Sequence, residues 1–362
     1  MARTPLTRIS SPSLGSLSFF PLAAVVALTL GCSGGSGTDT PATTDTGSTG
    51  ESGDDTGSSD DTGSGGGDTA TGDTGTTGDS TGKDTTPPGD APPAGGIKTV
   101  FLILMENENW SSIKGSASAP YINKTLLVDG AHAENYQNII HPSEPNYVWL
   151  EAGDNLGITN DSDPSANHQA TTDHLVTHLK AKGVSWHSWQ EDISGTVCPL
   201  KGVAKYAPKH NPMIFFDDVT NTNDPAFKYC IDNNRPYGEF AAALTASTVA
   251  RYNFITPNLC NDMHDCGIAA GDTWLSKEIP KIQASKAYTD GGVIFVLWDE
   301  TGGSTTLGMI ALGTNVKKGY SSSVKFTHSS TLRSIQDIFG ITPYIRDAAK
   351  ATNLSDLFTS FP

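Results

Sequence analysis

The sequence has 362 residues, a formal net charge of −16 and five cysteines. This length allows one large domain or two ordinary ones. The acidity argues against a nucleic-acid partner, because the chain offers no dominant basic patch to neutralise phosphates. Taken in order, the chain divides into residues 1–32, 33–95 and 96–362.

Residues 1–32 predict an export signal. Two arginines precede a short apolar run at residues 19–28, and Gly31 stands directly before Cys32. A basic flank, a short apolar core and a small residue are typical of a secretory signal, and the run is too short for a comfortable membrane span. Cys32 resembles the lipidated cysteine of bacterial lipoproteins, although threonine stands where leucine is usual three residues earlier. We expect an exported cell-envelope lipoprotein, at the outer surface or in the periplasm, whose only link to the membrane is a lipid on Cys32. Ordinary signal cleavage nearby is the alternative.

Residues 33–95 predict a disordered linker. They are almost entirely Ser, Thr, Gly, Asp and Pro, with the tripeptide Asp-Thr-Gly recurring. Such a segment has too little apolar surface to offset the entropy of ordering. Its twelve acids and single lysine give it a charge of −11, which leaves −7 for residues 96–362 once the two leader arginines are counted. Most of the acidity therefore belongs to a self-repelling, extended tether.

Residues 96–362 alternate segments typical of strands and of helices, which predicts an α/β sandwich. The apolar runs at 98–105 and 293–298 show no alternation, so we expect strands buried on both faces, as in a parallel sheet covered by helices. In chain order, the predicted elements are a strand at 98–105, a helix around 121–128, a strand at 132–140, a helix at 172–182, a strand at 184–189, an irregular segment at 192–236, a helix at 239–250, a strand at 251–255, a helix at 273–287, strands at 293–298 and 309–312, and a helix at 329–339 with Gly340 as its C-cap.

Residues 141–147, His-Pro-Ser-Glu-Pro-Asn-Tyr, predict a tight turn into a helix. Pro142 and Pro145 prevent a continuing strand, and Pro145 fits the first helical turn. Ser143 would then lie at or near a helix N-terminus, where free N–H groups and the helix dipole favour an anion. Two hypotheses follow: Ser143 is a capping residue, or it is a nucleophile that holds a phosphoryl group.

Acidic pairs follow the two most apolar strands. Glu106 and Asn107 come after the strand at 98–105, and Asp299 and Glu300 come after the strand at 293–298. Open α/β sheets place their sites at the carboxyl ends of strands. A buried carboxylate there must be paired or bind a metal, and oxygen ligands suit a hard or borderline divalent cation. The alternative is ordinary capping of the strand ends.

Four cysteines remain once Cys32 is set aside, and in an exported chain they suggest two disulfides. Three pairings are possible. Cys260–Cys266 is the natural short loop, which leaves Cys198–Cys230. A zinc site is the competing interpretation, but the spacings lack a Cys-x-x-Cys pair.

Six short motifs follow one another along the globular part: Leu-Met-Glu-Asn at 104–107, the segment at 141–147, Lys-His-Asn-Pro at 209–212, Pro-Asn-Leu with Asp-Met-His at 257–264, Leu-Trp-Asp-Glu at 297–300, and His-Ser-Ser-Thr-Leu-Arg at 328–333. Each is weak alone. Together they come in the order seen in the phosphoesterase family of bacterial phospholipases C and acid phosphatases, which the chain resembles from about residue 98 to about 340. The resemblance implies an alkaline phosphatase-like three-layer sandwich with a central, mostly parallel sheet.

The resemblance also implies a role for each matching residue. Ser143 matches the nucleophile, and the implied ligands of a divalent metal ion are Glu106, Asn107, Ser143, Asp299 and Glu300. His264 and His328 resemble groups that protonate the leaving group. Asn146, His210 and His141 resemble contacts to the phosphate. Glu108 departs from the pattern, since the family commonly has histidine or arginine there, and an acid at this position is expected to alter substrate preference.

These observations predict a metal-dependent phosphoric ester hydrolase. We expect a monomeric phosphomonoesterase of the acid phosphatase type, acting on a small phosphoester through a phosphoseryl intermediate at Ser143, because no long insertion offers a lipid interface. A phospholipase C-type phosphodiesterase is the first alternative. A non-catalytic surface binding domain is the second.

Overall fold

The computed structural model describes residues 96–137, 140–303 and 306–362. The export signal, the lipidation of Cys32 and the linker predicted for residues 33–95 lie outside the described residues. No helix in these three ranges is both long and apolar enough to cross a membrane.

Ten strands occur in the described ranges, and in chain order they are β1 (Thr99–Met105), β2 (Ala131–Ala133), β3 (Tyr136–Gln137), β4 (Trp186–Gln190), β5 (Asn234–Pro236), β6 (Tyr252–Thr256), β7 (Gly292–Trp298), β8 (Thr306–Leu307), β9 (Met309–Gly313) and β10 (Tyr320–Ser322). Eight of them form one sheet in the order β10-β2-β9-β7-β1-β6-β4-β5, and β3 pairs with β8 in a separate ribbon. Within the large sheet, β9 runs antiparallel to both of its neighbours, whereas the other pairings are parallel. The predicted mostly parallel sheet is therefore confirmed.

The two strands predicted to be central, β1 and β7, lie side by side in the interior of the large sheet. Every residue of β1 and of β7 is buried, and the two strands pair in register along their whole length, from Thr99 opposite Gly292 to Met105 opposite Trp298. A strand covered on both faces needs apolar side chains at every position, which is why neither run alternates.

Helices connect most of the strands, and in chain order they are α1 (Trp110–Ile113), α2 (Leu127–Asp129), α3 (Ser143–Ala152), α4 (Pro164–Asn167), α5 (Leu175–Ala181), α6 (Asp217–Thr220), α7 (Lys228–Asn233), α8 (Phe240–Ala246), α9 (Ile268–Gln283), α10 (Lys286–Thr289) and α11 (His328–Phe339). A π-helical turn at Ile122–Leu126 precedes α2, and 3₁₀ turns occur at Pro208–His210, Pro212–Phe215, Tyr237–Glu239, Arg346–Ala349 and Leu354–Leu357.

The helices cover both faces of the sheet. Phe101 of β1 contacts Phe240 of α8, whereas Phe254 of β6 contacts Tyr147 of α3. Phe101 lies opposite Asn253, the residue before Phe254, so the two phenylalanines point to opposite faces. Helix α3 packs with α5 and α11, and α8 packs with α9 and α10. The three-layer α/β sandwich is thus confirmed.

Three sequence-based boundaries need correction. The strand predicted at 132–140 is wrong as one element, because the chain leaves the large sheet after β2 and resumes as β3 in the small ribbon. The segment at 192–236 is not wholly irregular, since it contains α6, α7 and the edge strand β5, whose last residue is Pro236. The helix predicted at 273–287 is two helices, because Ser285 caps α10 by accepting the N–H of Tyr288.

Both predicted disulfides are present, Cys198–Cys230 and Cys260–Cys266, so the zinc-site alternative is wrong. Cys198–Cys230 links the segment that follows β4 to α7, which directly precedes the edge strand β5. Cys260–Cys266 closes a short loop after β6.

The two bridges should contribute unequally to stability. Their sequence separations are 32 and 6. The loop-entropy relation gives about 4 kcal/mol for the longer loop and about 2 kcal/mol for the shorter one. Urea unfolding of the two double cysteine-to-alanine variants should therefore show the larger loss for Cys198 and Cys230. An equal or greater loss for Cys260 and Cys266 would contradict this expectation.

Candidate active site

Three neighbouring strands end at one edge of the sheet, and each is followed by a buried acid. Glu106 follows β1, Asp299 follows β7, and Asp262 lies in the loop after β6; all three are 0% exposed. The amide of Asp299 donates to the carbonyl of Met105 at 3.0 Å, and the amide of Glu106 donates to the carbonyl of Asp262 at 2.9 Å. Parallel strands bring their carboxyl ends together, so acids distant in sequence meet here.

The hydroxyl of Ser143 faces this cluster from the first residue of α3. Its Oγ lies 3.2 Å from Oε2 of Glu106 and 3.4 Å from Oε1 of Glu300, and the residue is buried. The N-cap position belongs to Pro142. Ser143 thus contacts acids from two strands, an arrangement that the capping hypothesis does not require.

Glu106 is held through both of its carboxylate oxygens. Oε2 faces Ser143, while Oε1 accepts a hydrogen bond from the hydroxyl of Tyr147 and lies 3.3 Å from Nε2 of His210. Burial, reinforced by the nearby charges of Asp299 and Asp262, raises the pKa of Glu106 well above its usual range.

Several buried ligand-type atoms at this edge have no hydrogen-bond partner within the described ranges, namely Oδ1 of Asn107, Nε2 of His210, Oδ2 of Asp262 and Oδ2 of Asp299. One ligand atom from each of Glu106, His210 and Asp262 lies within 4.8 Å of the other two. Leaving such atoms unpaired costs about 1–3 kcal/mol each. Carboxylate, amide and imidazole donors together suit a divalent cation, so the residues fit such an ion.

Without a bound cation, the surroundings of these acids raise their pKa values. Burial, followed by the charge of Glu300, raises the pKa of Asp299 to about 7. Burial raises the pKa of Asp262 to about 8, and it also raises that of Glu300 despite the opposing effect of His141. The cation acting on both Glu106 and Asp262 is Lys209, which forms an ion pair with Asp161 at 3.0 Å.

His210 and His264 lie together beside the acids. His210 is buried, its ring stacks on Tyr147, and burial lowers its pKa well below the usual value, which favours the neutral imidazole. His264 is partly exposed, lies 5.9 Å from His210 between ring centroids, and pairs with Asp265.

His141 and His328 have different surroundings. His141 is more than half exposed and pairs with Glu300 at 2.6 Å. His328 is fully buried: Nε2 contacts the backbone carbonyl of Asp299 at 2.5 Å and Nδ1 contacts the hydroxyl of Tyr136 at 3.2 Å. Burial lowers the pKa of His328 to about 4, so it is a neutral donor to the strand end.

Asn146 is turned towards the backbone. Its amide donates to the carbonyls of Ile140 at 2.7 Å and Pro142 at 3.1 Å. Both of its hydrogens therefore brace the entry to α3, and a contact to substrate would require the side chain to turn.

Sequence reasoning missed two residues of the site. Asp262 lies inside the motif at 257–264, but only His264 of that motif was predicted to have a catalytic role. The loop closed by Cys260–Cys266 contains both residues, and this shared loop was the signal that could have identified Asp262. Tyr147 lies four residues after Ser143, a spacing that places both on one side of a helix.

The acid cluster should make stability depend on pH. Between pH 6.5 and 8.5 the unfolded carboxyls are already ionised, whereas folded Asp262 and Asp299, with pKa values of about 8 and 7, lose their protons within this window. Their raised folded pKa means that stability falls as pH rises through this window. With a chelator present, chemical unfolding should show this fall, and Asp262→Asn should remove about 2 kcal/mol of it.

The lowered pKa values of His210 and His328 oppose this fall only near its low end, where the unfolded imidazole, with a pKa of about 6.5, is still partly protonated. Asp290→Asn, at an exposed carboxyl paired with Lys286, is the control and should leave the slope unchanged. A slope that is flat in the wild type, or identical in Asp262→Asn, would contradict the prediction.

Similarity to known proteins identifies the family of the chain. The model of the Phosphoesterase family matches residues 127–342. The chain is 30% identical over 260 residues to a phosphatidylinositol-3-phosphatase of Mycobacterium tuberculosis, covering 70% of this chain and 82% of that protein. It is 27% identical to a probable acid phosphatase of Kluyveromyces lactis, covering 66% of this chain, and to an acid phosphatase of Aspergillus fumigatus, covering 67%.

The chain spans 58% and 54% of the length of these two fungal proteins. Among solved structures, it is similar to a protein of the alkaline phosphatase superfamily from Vibrio parahaemolyticus, with 12% identity, a TM-score of 0.47 and coverage of 74% of each chain. The family match spans more than half of the sequence. The chain therefore belongs to the phosphoesterase family and is a hydrolase that acts on phosphoric ester bonds.

Proposed function

We propose that the chain is a metal-dependent phosphomonoesterase of the acid phosphatase type, with Ser143 as its nucleophile. The observation that carries this proposal is the position of the Ser143 hydroxyl between Glu106 and Glu300, on the first turn of α3. The N–H of Glu144 already donates to Asp161 and Pro145 has no N–H, so α3 would favour the anionic phosphoryl group on such a serine mainly through the positive end of its helix dipole.

The buried, unpartnered ligand atoms support metal dependence. Glu106, Asn107, Ser143, Asp299 and Glu300 would hold a divalent cation, and His210 and Asp262 offer further ligand atoms on the other side of Glu106. A divalent cation bound there would neutralise phosphate charge and lower the pKa of a coordinated hydroxyl.

The side chains supply the remaining chemistry. Glu106 and Glu300 would be ionised with a cation bound, despite their raised pKa values in its absence. Oγ of Ser143 attacks phosphorus as its proton passes to one of these two carboxylates, and the ester P–O bond breaks. The leaving alkoxide takes a proton from a histidine. Water then attacks the phosphoserine, its proton returns to that histidine, and Ser143 recovers its own proton.

His264 fits the proton donor better than His328. It is partly exposed beside His210, whereas His328 is fully buried with both ring nitrogens engaged. A general acid must reach the leaving oxygen, so a histidine enclosed on both sides is poorly suited to the task. In this proposal His328 instead fixes the backbone at Asp299.

The relatives favour a monoester as substrate, since they are named phosphatidylinositol-3-phosphatase and acid phosphatase. The phosphodiesterase alternative remains the competing proposal, because the family resemblance includes phospholipases C. An exposed phosphoester group on a small molecule or a lipid headgroup presents the same chemistry to Ser143.

The purified chain, supplied with divalent cations, should release phosphate from p-nitrophenyl phosphate and little product from bis(p-nitrophenyl) phosphate. Ser143→Ala should lower kcat at least about a thousandfold, because loss of a nucleophile removes the covalent route. Steady-state assays of released p-nitrophenol measure both results.

Ser334→Ala is the matched control, since Ser334 is a buried serine of α11 whose hydroxyl contacts the carbonyl of Ser330. It should keep wild-type kcat. Preference for the diester would support the phospholipase C alternative. Unchanged activity in Ser143→Ala would refute the nucleophile assignment.

A further inference from the structure

Tyr147 joins the nucleophile helix to the acid at the end of β1. It lies on α3 one turn after Ser143 and is 0% exposed. Its hydroxyl donates to Oε1 of Glu106, and its ring stacks on His210 with centroids 4.9 Å apart and planes within 11°. The ring also packs edge-on against Phe254 of β6. One side chain thus contacts Glu106 and His210 while the sheet holds it from below.

The two oxygens of Glu106 have different surroundings because of this contact. Oε1 accepts from Tyr147, and Oε2 is left facing Ser143 at 3.2 Å. The last torsion of a glutamate side chain is broad, so the side chain alone would not fix the plane of the carboxylate with an oxygen towards the serine. The hydrogen bond from the hydroxyl of Tyr147 fixes the orientation of the Glu106 carboxylate, which the glutamate side chain alone would leave variable.

We propose that Tyr147 is a positioning residue that orients Glu106 through its hydroxyl and His210 through its ring. Its hydroxyl keeps Oε2 of Glu106 available to the nucleophile and to a divalent cation, and its ring fixes the imidazole plane of His210. Groups that orient ligands in this way are worth 10–100-fold in metal affinity or activity. The inference rests on the metal-dependent function proposed above.

Tyr237 provides a matched comparison. It is also a buried tyrosine whose hydroxyl donates to a carboxylate, Glu278 of α9, at 3.0 Å. It contacts Phe240 and Trp274. Tyr237→Phe therefore removes the same kind of hydrogen bond from a different part of the fold.

The experiment measures binding of Mn²⁺ and, in parallel, Zn²⁺ to metal-stripped wild type, Tyr147→Phe and Tyr237→Phe, together with kcat and KM on p-nitrophenyl phosphate. Tyr147→Phe should weaken affinity for the preferred ion by about 10–100-fold and lower kcat, with a smaller change in KM. Tyr237→Phe should keep wild-type values. Tyr147→Leu, which also removes the ring beside His210, should weaken the affinity further.

Tyr147→Phe with wild-type affinity and kcat would overturn the inference and leave Tyr147 as a core residue. A Tyr147→Phe chain that fails to fold would also overturn it, because the hydroxyl would then be structural. If the wild type binds an ion but hydrolyses no phosphoester, the proposed function fails while the affinities still test Tyr147. If the wild type binds neither ion, metal dependence and this inference fail together.

Discussion

The buried carboxylate of Glu106 is the constraint on which the site depends. An ionised carboxylate away from water must be paired or hydrogen-bonded, and Glu106 has Asp262 and Asp299 as close neighbours. Like charges at this range cannot all ionise without a cation, and a phosphate group would add further negative charge. Since Lys209 is already paired with Asp161, the cluster favours a divalent cation, which would also let a phosphoester approach.

Much of the surrounding fold keeps these groups in place. Helix α3 presents Ser143 and Tyr147 on one side. The indole N–H of Trp149, also on α3, donates to the hydroxyl of Ser329 on α11, which in turn donates to Asp347. On the opposite side the Cys260–Cys266 bridge closes the loop that carries Asp262 and His264. Met263, between them, has a φ of 92°, a backbone conformation that non-glycine residues rarely adopt. The loop is thus held by its bridge rather than by regular structure.

The sequence alone was enough to predict the parts of the structure that depend on local residue patterns. Unbroken apolar runs identified β1 and β7, and strand ends gave Glu106 and Asp299. It could not show that Asp262 joins them, because that depends on how an eleven-residue loop after β6 folds back on the sheet edge. It also could not assign different roles to His264 and His328, because the sequence does not show which of the two side chains is enclosed. In the structure both ring nitrogens of His328 are buried and engaged, and this distinguishes the two residues. The break between β2 and β3 was missed because the pairing partners of each lie far along the chain.

The most direct test of the account is to trap the covalent intermediate. The protein would be mixed with p-nitrophenyl phosphate, quenched in acid during turnover and digested, and its peptides weighed by mass spectrometry. We predict one added phosphoryl group on the peptide that contains Ser143, absent from Ser143→Ala. Turnover without a phosphorylated peptide, or a phosphoryl group on another residue, would contradict the assignment of Ser143 as the nucleophile.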